Sequence, residues 1–154
     1  IHAAQLEITI VFVGKPTLYA AELLKFITEN KMENQVKFLN NISRKNLSAL
    51  YKGASLSVYL SVFEGFGLPI IESMASGCPV ITSDISCLPE TAGGAAILCD
   101  PENITEIGDK IKLLLENNSL KKEMIQKGTE RAKLFHPEKY SQNLISLVGL
   151  PEFF

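Results

Sequence analysis

The chain has 154 residues, about one domain's worth, and a formal net charge of −2 with the two signs interspersed, which excludes the basic footprint that nucleic-acid binding needs. Hydrophobic residues make up 46% of it, yet no apolar run approaches the ~20 residues of a membrane span. Three cysteines, Cys78, Cys87 and Cys99, are odd in number and lack CxxC-type spacing, which argues against a disulfide framework and a zinc site and leaves small thiols in a reducing compartment.

The start, Ile1 to Glu7, has neither the basic nor the apolar region of a signal peptide and no initiator Met, so a piece of a longer protein is expected. Ile8 to Val13 is β-branched and aromatic, too short for a helix, and stops at Gly14; it reads as a parallel strand buried on both faces. Leu23, Phe26 and Ile27 supply the stripe of a helix ending near Asn30, and Val36 to Leu39 is a second strand. Ser43 can cap a helix with Leu47, Leu50, Tyr51 and Ala54 on one face. A third strand, Leu56 to Leu60, leads into Glu64-Gly-Phe-Gly-Leu-Pro-Ile-Ile-Glu72 and a helix from Ile70 to Ser76, which Gly77 ends.

Pro79 to Ser83 and Ala95 to Cys99 follow as strands. Asp100 to Asn103 introduces a helix with Ile104, Ile107, Ile111, Leu114 and Leu115 on one side. A further helix is expected from about Leu120 to Phe135, and a last one from Pro137 with Tyr140, Leu144 and Leu147. Strands alternating with helices at this spacing predict an α/β domain with a parallel sheet and extra helices at its C-terminal end.

In such sheets ligands bind beyond the carboxyl ends of the strands, and the Glu64–Glu72 stretch is one of the loops there. Gly65 and Gly67 let a ligand approach the backbone. Pro69 suits a first helical turn, and the N–H groups from about Gly67 to Ile71 are expected to form an anion site with the helix dipole. Glu72 is read in that first turn, with Glu64 across from it at the strand end. Ionised carboxylates accept well from vicinal hydroxyls, so a diphosphate between two hydroxyl-bearing rings would fit. On spacing alone a second reading stays open: Glu72 complements the dipole and Glu64 is a solvated loop residue.

Glu64 to Glu72, continued by Ser73 to Asp84, resembles the E-x7-E signature of the retaining, nucleotide-sugar-dependent glycosyltransferases of the GT-B fold, often called group 1. Val11–Gly14, Val36–Leu39, Leu50–Ala54, Leu88–Glu90, Asp100–Pro101 and Phe135–Glu138 resemble further landmarks of that family in the expected order, from about Ile8 to Leu147. The resemblance implies a Rossmann-like, donor-binding C-terminal half of a GT-B enzyme, spanning 1–154 as one domain. It implies a nucleotide-diphosphate sugar as co-substrate, no metal or other cofactor, and retention of anomeric configuration.

By position it assigns Glu64 to the transferred sugar near the reacting centre and Glu72 to the ribose hydroxyls. Gly65, Phe66, Gly67 and Leu68 would meet the sugar and diphosphate, Ile42 would lie near the base, and Gly14 and Lys15 would flank the donor. The acceptor, a glycan or a lipid-linked glycan, would be held by an N-terminal domain absent from this chain. An Arg/Lys pair that the family carries before the first helix is absent as well, so the chain alone is expected to be inactive. Cell-envelope polysaccharide synthesis in the cytoplasm is the implied setting. The basic face formed by Lys121, Lys122, Lys127, Arg131 and Lys133 is a candidate contact with the inner membrane surface. Leu60 stands where the family usually has Pro.

Two other classes were weighed. A dinucleotide-binding oxidoreductase domain calls for G-x-G-x-x-G after the first strand, which Gly14-Lys15-Pro16-Thr17 does not match. A non-catalytic binding module would not need both glutamates.

Overall fold

The computed structural model describes residues 8–15 and 20–136. The helix expected from Pro137 lies outside them. The chain divides into two compact units, Ile1–Leu47 and Ser48–Phe154.

In the first unit β1 (Ile10–Val13) pairs in parallel with β2 (Val36–Leu39), from Ile10 opposite Val36 to Val13 opposite Leu39. Helix α1 (Ala20–Glu29) connects them, with Ile27 buried. The expectation that the first strand is buried on both faces is wrong. Val11, Phe12 and Val13 are each 40–47% exposed. Among the described residues of its unit, β1 has one hydrogen-bonded neighbour, β2, and one crossover helix, α1. Phe12 and Phe38, opposite each other on the two strands, stack with ring centroids 5.3 Å apart.

The division between the units falls within α2 (Arg44–Gly53). Ser43 caps this helix as expected, its Oγ accepting the Asn46 N–H at 3.2 Å. The second unit contains β3 (Ser57–Tyr59), α3 (Leu68–Ala75), β4 (Val80–Ser83), α4 (Leu88–Ala92), β5 (Ile97–Cys99), α5 (Ile104–Glu116) and α6 (Asn118–Lys133). Its strands form a parallel sheet in the order β3-β4-β5.

The central strand β4 is buried at every residue. Its alternation sends Val80 and Ile81 into two different cores, as the two-residue period of a strand requires. Val80 joins Ile70, Ile71, Met74, Leu88, Ala92 and Ala95 beneath α3 and α4. Ile81 joins Cys99, Leu114 and Met124 beneath α5 and α6. Each fully buried aliphatic side chain here contributes about 1.5–3 kcal/mol relative to exposure. The next two residues of β4 are buried hydroxyls, which need partners. Thr82 Oγ1 donates to the Tyr59 carbonyl and Ser83 Oγ to the Ser61 carbonyl, both at 2.8 Å. These bonds fix the outgoing end of β3, where the candidate site begins.

Helix ends follow their local chemistry. Gly77, at φ 75°, closes α3: its N–H bonds the Met74 carbonyl and the Cys78 N–H bonds the Ser73 carbonyl, each at 3.0 Å. This is the paired C-terminal closure that a left-handed glycine permits. Asn103 caps α5 by accepting the Glu106 N–H at 3.1 Å, and Asn117 caps α6 by accepting the Leu120 N–H at 2.9 Å. Helix α6 thus begins two residues before the position read from its apolar stripe. The three cysteines are free thiols, and burial raises the pKa of Cys78 and Cys99.

Candidate functional site

The segment between β3 and α3 carries the site. Glu64 lies midway along it, and its side chain is held from the strand. The Tyr59 hydroxyl donates to Glu64 Oε1, and Ser61 Oγ donates to the same oxygen at 2.9 Å. These bonds keep the carboxyl below the usual carboxylate range. The Tyr59 phenol is pushed up to about 12, first by burial and then by its bond to Glu64. Tyr59 therefore stays a donor and Glu64 an anion at neutral pH.

The backbone of Glu64 is held from the far side, by the loop after β4. Ser86 Oγ accepts the Glu64 N–H at 3.3 Å and lies 3.1 Å from the Glu64 carbonyl, to which it can donate. Cys87 Sγ donates to the same carbonyl at 3.1 Å. Two residues on, the Phe66 carbonyl accepts from Thr91 Oγ1 of α4. The Phe66 ring, 40% exposed, meets Phe135 edge to face with centroids 5.4 Å apart.

Gly67 is the N-cap of α3, in the left-handed region at φ 83°, ψ 50°. A Cβ there would stand 2.6 Å from Leu88 Cδ2, so close packing and backbone conformation both require glycine. At Gly65 a Cβ would meet nothing within 4 Å, so no contact within the chain demands glycine.

Helix α3 begins at Leu68, two residues earlier than the hydrophobic run suggested, and this corrects two expectations. Glu72 is not in the first turn but one turn further in, exposed on the same helical face as Leu68. The donor set at the helix start is narrower than Gly67 to Ile71. Pro69 has no N–H, and the Ile70 N–H bonds the Gly67 carbonyl at 3.0 Å. The N–H groups of Gly67 and Leu68 have no acceptor within the helix. The Glu72 charge helps raise the pKa of the half-buried Tyr51 phenol, although burial contributes more.

Gly14, Lys15 and Ile42 belong to the first unit. Gly14 follows β1 at φ 145°, its N–H bonding the Leu39 carbonyl at 3.0 Å. Lys15 is exposed. Ile42, half-buried, sits between left-handed Asn41 and the cap Ser43.

Sequence reasoning missed the groups that hold the glutamate. Tyr59 and Ser61 were legible as a pair two residues apart at a strand end, a spacing that places side chains on one face. Ser86 gave no signal, and Thr91 and Arg131 were noticed for other reasons, beside the donor pocket and in a basic helical face, because their actual contacts depend on which loops the sheet order brings together. Arg131 Nη2 donates to the Glu90 carbonyl at 2.6 Å and Nε to the Thr91 carbonyl at 3.0 Å. Its guanidinium also lies 4.8 Å from the Phe135 ring centroid. Of the basic face of α6, Arg131 is thus committed within the protein, while two lysines form exposed pairs on the helix itself. Lys127 pairs with Glu123 at 2.7 Å and Lys133 with Glu130 at 2.6 Å.

A sequence family described as glycosyl transferases group 1 matches residues 2–131, and the chain belongs to that family. It is 32% identical over 128 residues to the O-antigen chain mannosyltransferase B of Escherichia coli, covering 83% of this chain and 34% of that protein. It is 37% identical over 94 residues to the O-antigen chain mannosyltransferase RfbU of Salmonella typhimurium, covering 61% of this chain and 27% of the relative. The chain thus spans about a third of the length of these relatives.

Among solved structures, the C-terminal domain of the group 1 family glycosyl transferase LpcC from Francisella tularensis superposes with a TM-score of 0.72 at 27% identity, over 81% of this chain and 68% of that one. Anabaena HepE in complex with UDP superposes with a TM-score of 0.86 at 24% identity, over 96% of this chain and 43% of that one. The fold is that of the C-terminal, Rossmann-like half of a group 1 glycosyltransferase.

Proposed function

We propose that this chain is the donor-binding domain of a longer, retaining glycosyltransferase that moves a hexose from a nucleotide diphosphate onto a cell-envelope glycan or lipid-linked glycan. The observation that carries the reading is the placement of an ionised, hydroxyl-held Glu64 in the loop after β3, three residues before the Gly67 cap of α3. The names of the relatives, O-antigen mannosyltransferases, support the hexose and the envelope acceptor.

In this reading Glu64 is catalytic: its carboxylate accepts from a hydroxyl of the transferred sugar and offsets positive charge developing at the reacting carbon. The Gly67 and Leu68 N–H groups, with the α3 dipole, stabilise the charge growing on the leaving diphosphate. Gly65 and Phe66 line the approach of the sugar, and Glu72 accepts from the ribose hydroxyls. Gly14, Lys15 and Ile42 are proposed donor contacts on the family resemblance alone. The reaction is proposed to need no metal.

Free thiols support a reducing, cytoplasmic setting. A peripheral membrane contact of the whole enzyme is part of the proposal; on α6, Lys127 and Lys133 form exposed pairs with Glu123 and Glu130, and Arg131 is bonded to the Glu90 and Thr91 carbonyls.

The test uses the full-length enzyme, a panel of nucleotide-diphosphate hexoses with EDTA present, and NMR assignment of the product's anomeric configuration. Retention without added metal is expected. Inversion, or loss of activity in EDTA, overturns the corresponding clause, and preference for NAD over every nucleoside diphosphate overturns the whole. Glu64→Ala should lower kcat, and Glu72→Ala should raise donor KM about 10- to 100-fold by loss of a charged hydrogen bond. Unchanged activity in both variants sinks the site assignment.

A further inference from the structure

The Glu64 carboxylate is built on in layers. Thr82 and Ser83, fully buried neighbours on β4, donate to the carbonyls of Tyr59 and Ser61 at 2.8 Å. Tyr59 and Ser61 then send their own hydroxyls to one and the same carboxylate oxygen, Oε1. Tyr59 also packs against the core that contains Val80 and Leu88, so its ring is anchored as well as its backbone. A carboxylate offers two oxygens and about four acceptor positions. The Ser61 hydroxyl has one proton and also lies 3.2 Å from the Phe63 carbonyl, so Tyr59 is the principal donor to Oε1; together the two hydroxyls restrain the carboxylate and leave Oε2 as the oxygen to meet a ligand.

We propose that Tyr59 and Ser61 are positioning residues that orient Glu64 so that Oε2 faces the transferred sugar. This rests on the catalytic role given to Glu64 above. Neither residue touches substrate; each acts through the carboxylate. Geometry of this kind matters because a reacting group displaced by an ångström loses much of the benefit of being held in place. Tyr59 is the more informative of the two, since Tyr59→Phe removes one hydroxyl and leaves the ring in its core.

The experiment measures kcat and donor KM of the full-length enzyme carrying Tyr59→Phe, Ser61→Ala, Glu64→Ala, Glu64→Asp and the Tyr59→Phe/Glu64→Asp pair. Tyr59→Phe is expected to lower kcat about tenfold or more, the scale of a hydrogen bond to a charged group, with donor KM changed less than about threefold. Glu64→Asp shortens the side chain and withdraws the carboxylate from Tyr59, so on that background the loss should shrink to less than about threefold.

A Tyr59→Phe enzyme with unchanged kcat, beside an inactive Glu64→Ala enzyme, overturns the positioning role and leaves the function standing. An equal loss on both Glu64 backgrounds also overturns it, since a purely structural tyrosine would act without regard to the carboxylate. Full activity in Glu64→Ala would sink the catalytic reading and this inference with it.

Discussion

Ser86 grips Glu64 by both of its backbone groups, its hydroxyl 3.3 Å from the Glu64 nitrogen and 3.1 Å from the Glu64 carbonyl oxygen. It does so from a left-handed backbone at φ 60°, which disfavours a side chain by about 1–2 kcal/mol. The loop after β4 thus holds a strained residue whose hydroxyl fixes the loop after β3. Local strain of this kind persists where surrounding contacts over-determine it.

Two substitutions separate the strain from the grip. Ser86→Ala loses the hydroxyl and keeps the strain; Ser86→Gly loses the hydroxyl and relieves it. Ser86→Gly should therefore be the more stable variant by about 1 kcal/mol in urea denaturation, while both lower kcat. Equal stability of the two would show that the turn carries no strain.

Gly67 is expected to tolerate no side chain. Gly67→Ala meets the left-handed penalty and places a methyl 2.6 Å from Cδ2 of the fully buried Leu88. Backbone and overpacking costs together come to about 2–5 kcal/mol. Leu88→Ala alone should cost a similar amount by opening a cavity. The double variant should lose clearly less than the sum, because the cavity accepts the new methyl. Thermal melts of the four proteins check this, and strict additivity would mean that the two residues are not in contact.

Arg131 links α6 to the candidate site through α4. Its bonds to the Glu90 and Thr91 carbonyls secure the end of α4, and Thr91 in turn holds the Phe66 carbonyl. Arg131→Met leaves those carbonyls without their charged donor, at about 1.5–3 kcal/mol per lost bond. Arg131→Lys should recover only part of the loss, because an ammonium cannot supply two fixed donors and lie against Phe135 at once. Calorimetry should rank wild type above Lys above Met. Donor KM should rise in the same order as Phe66 loses its anchor.

Patterns that depend on near neighbours in the chain were legible from sequence. The five strands lie within the runs expected for them, most of them one or two residues shorter, and the Ser43 cap and the Gly77 closure stand where reasoning placed them. The five-residue α4 was not seen, since Leu88-Pro-Glu-Thr-Ala is too short to show a stripe. The start of α3 was misplaced because Leu68-Pro69 precedes the apolar run, which moved Glu72 a full turn away from the helix end. Both glutamates were found, but not what holds Glu64. Tyr59 and Ser86 reach it from different strand ends, and only the pairing of β3 with β4 brings those ends together.

Burial of Tyr59 and then its bond to Glu64 set the sign of two pH effects. Tyr59 has its phenol raised to about 12 from 10.0, so its neutral form is the one that folding favours. That contribution is fully present below pH 10 and is lost as pH rises through about 12. Glu64 has a lowered pKa, from its bonds to Tyr59 and Ser61, so its contribution is present above the ordinary carboxylate range and lost as pH falls through the lowered value. Denaturant midpoints followed across pH should show a decline on the alkaline side that Tyr59→Phe flattens and one on the acid side that Glu64→Gln flattens. An alkaline limb unchanged by Tyr59→Phe would mean that this phenol is not the one held neutral. Between the two limits Glu64 remains an anion, which suits an acceptor of hydroxyl groups and a stabiliser of positive charge.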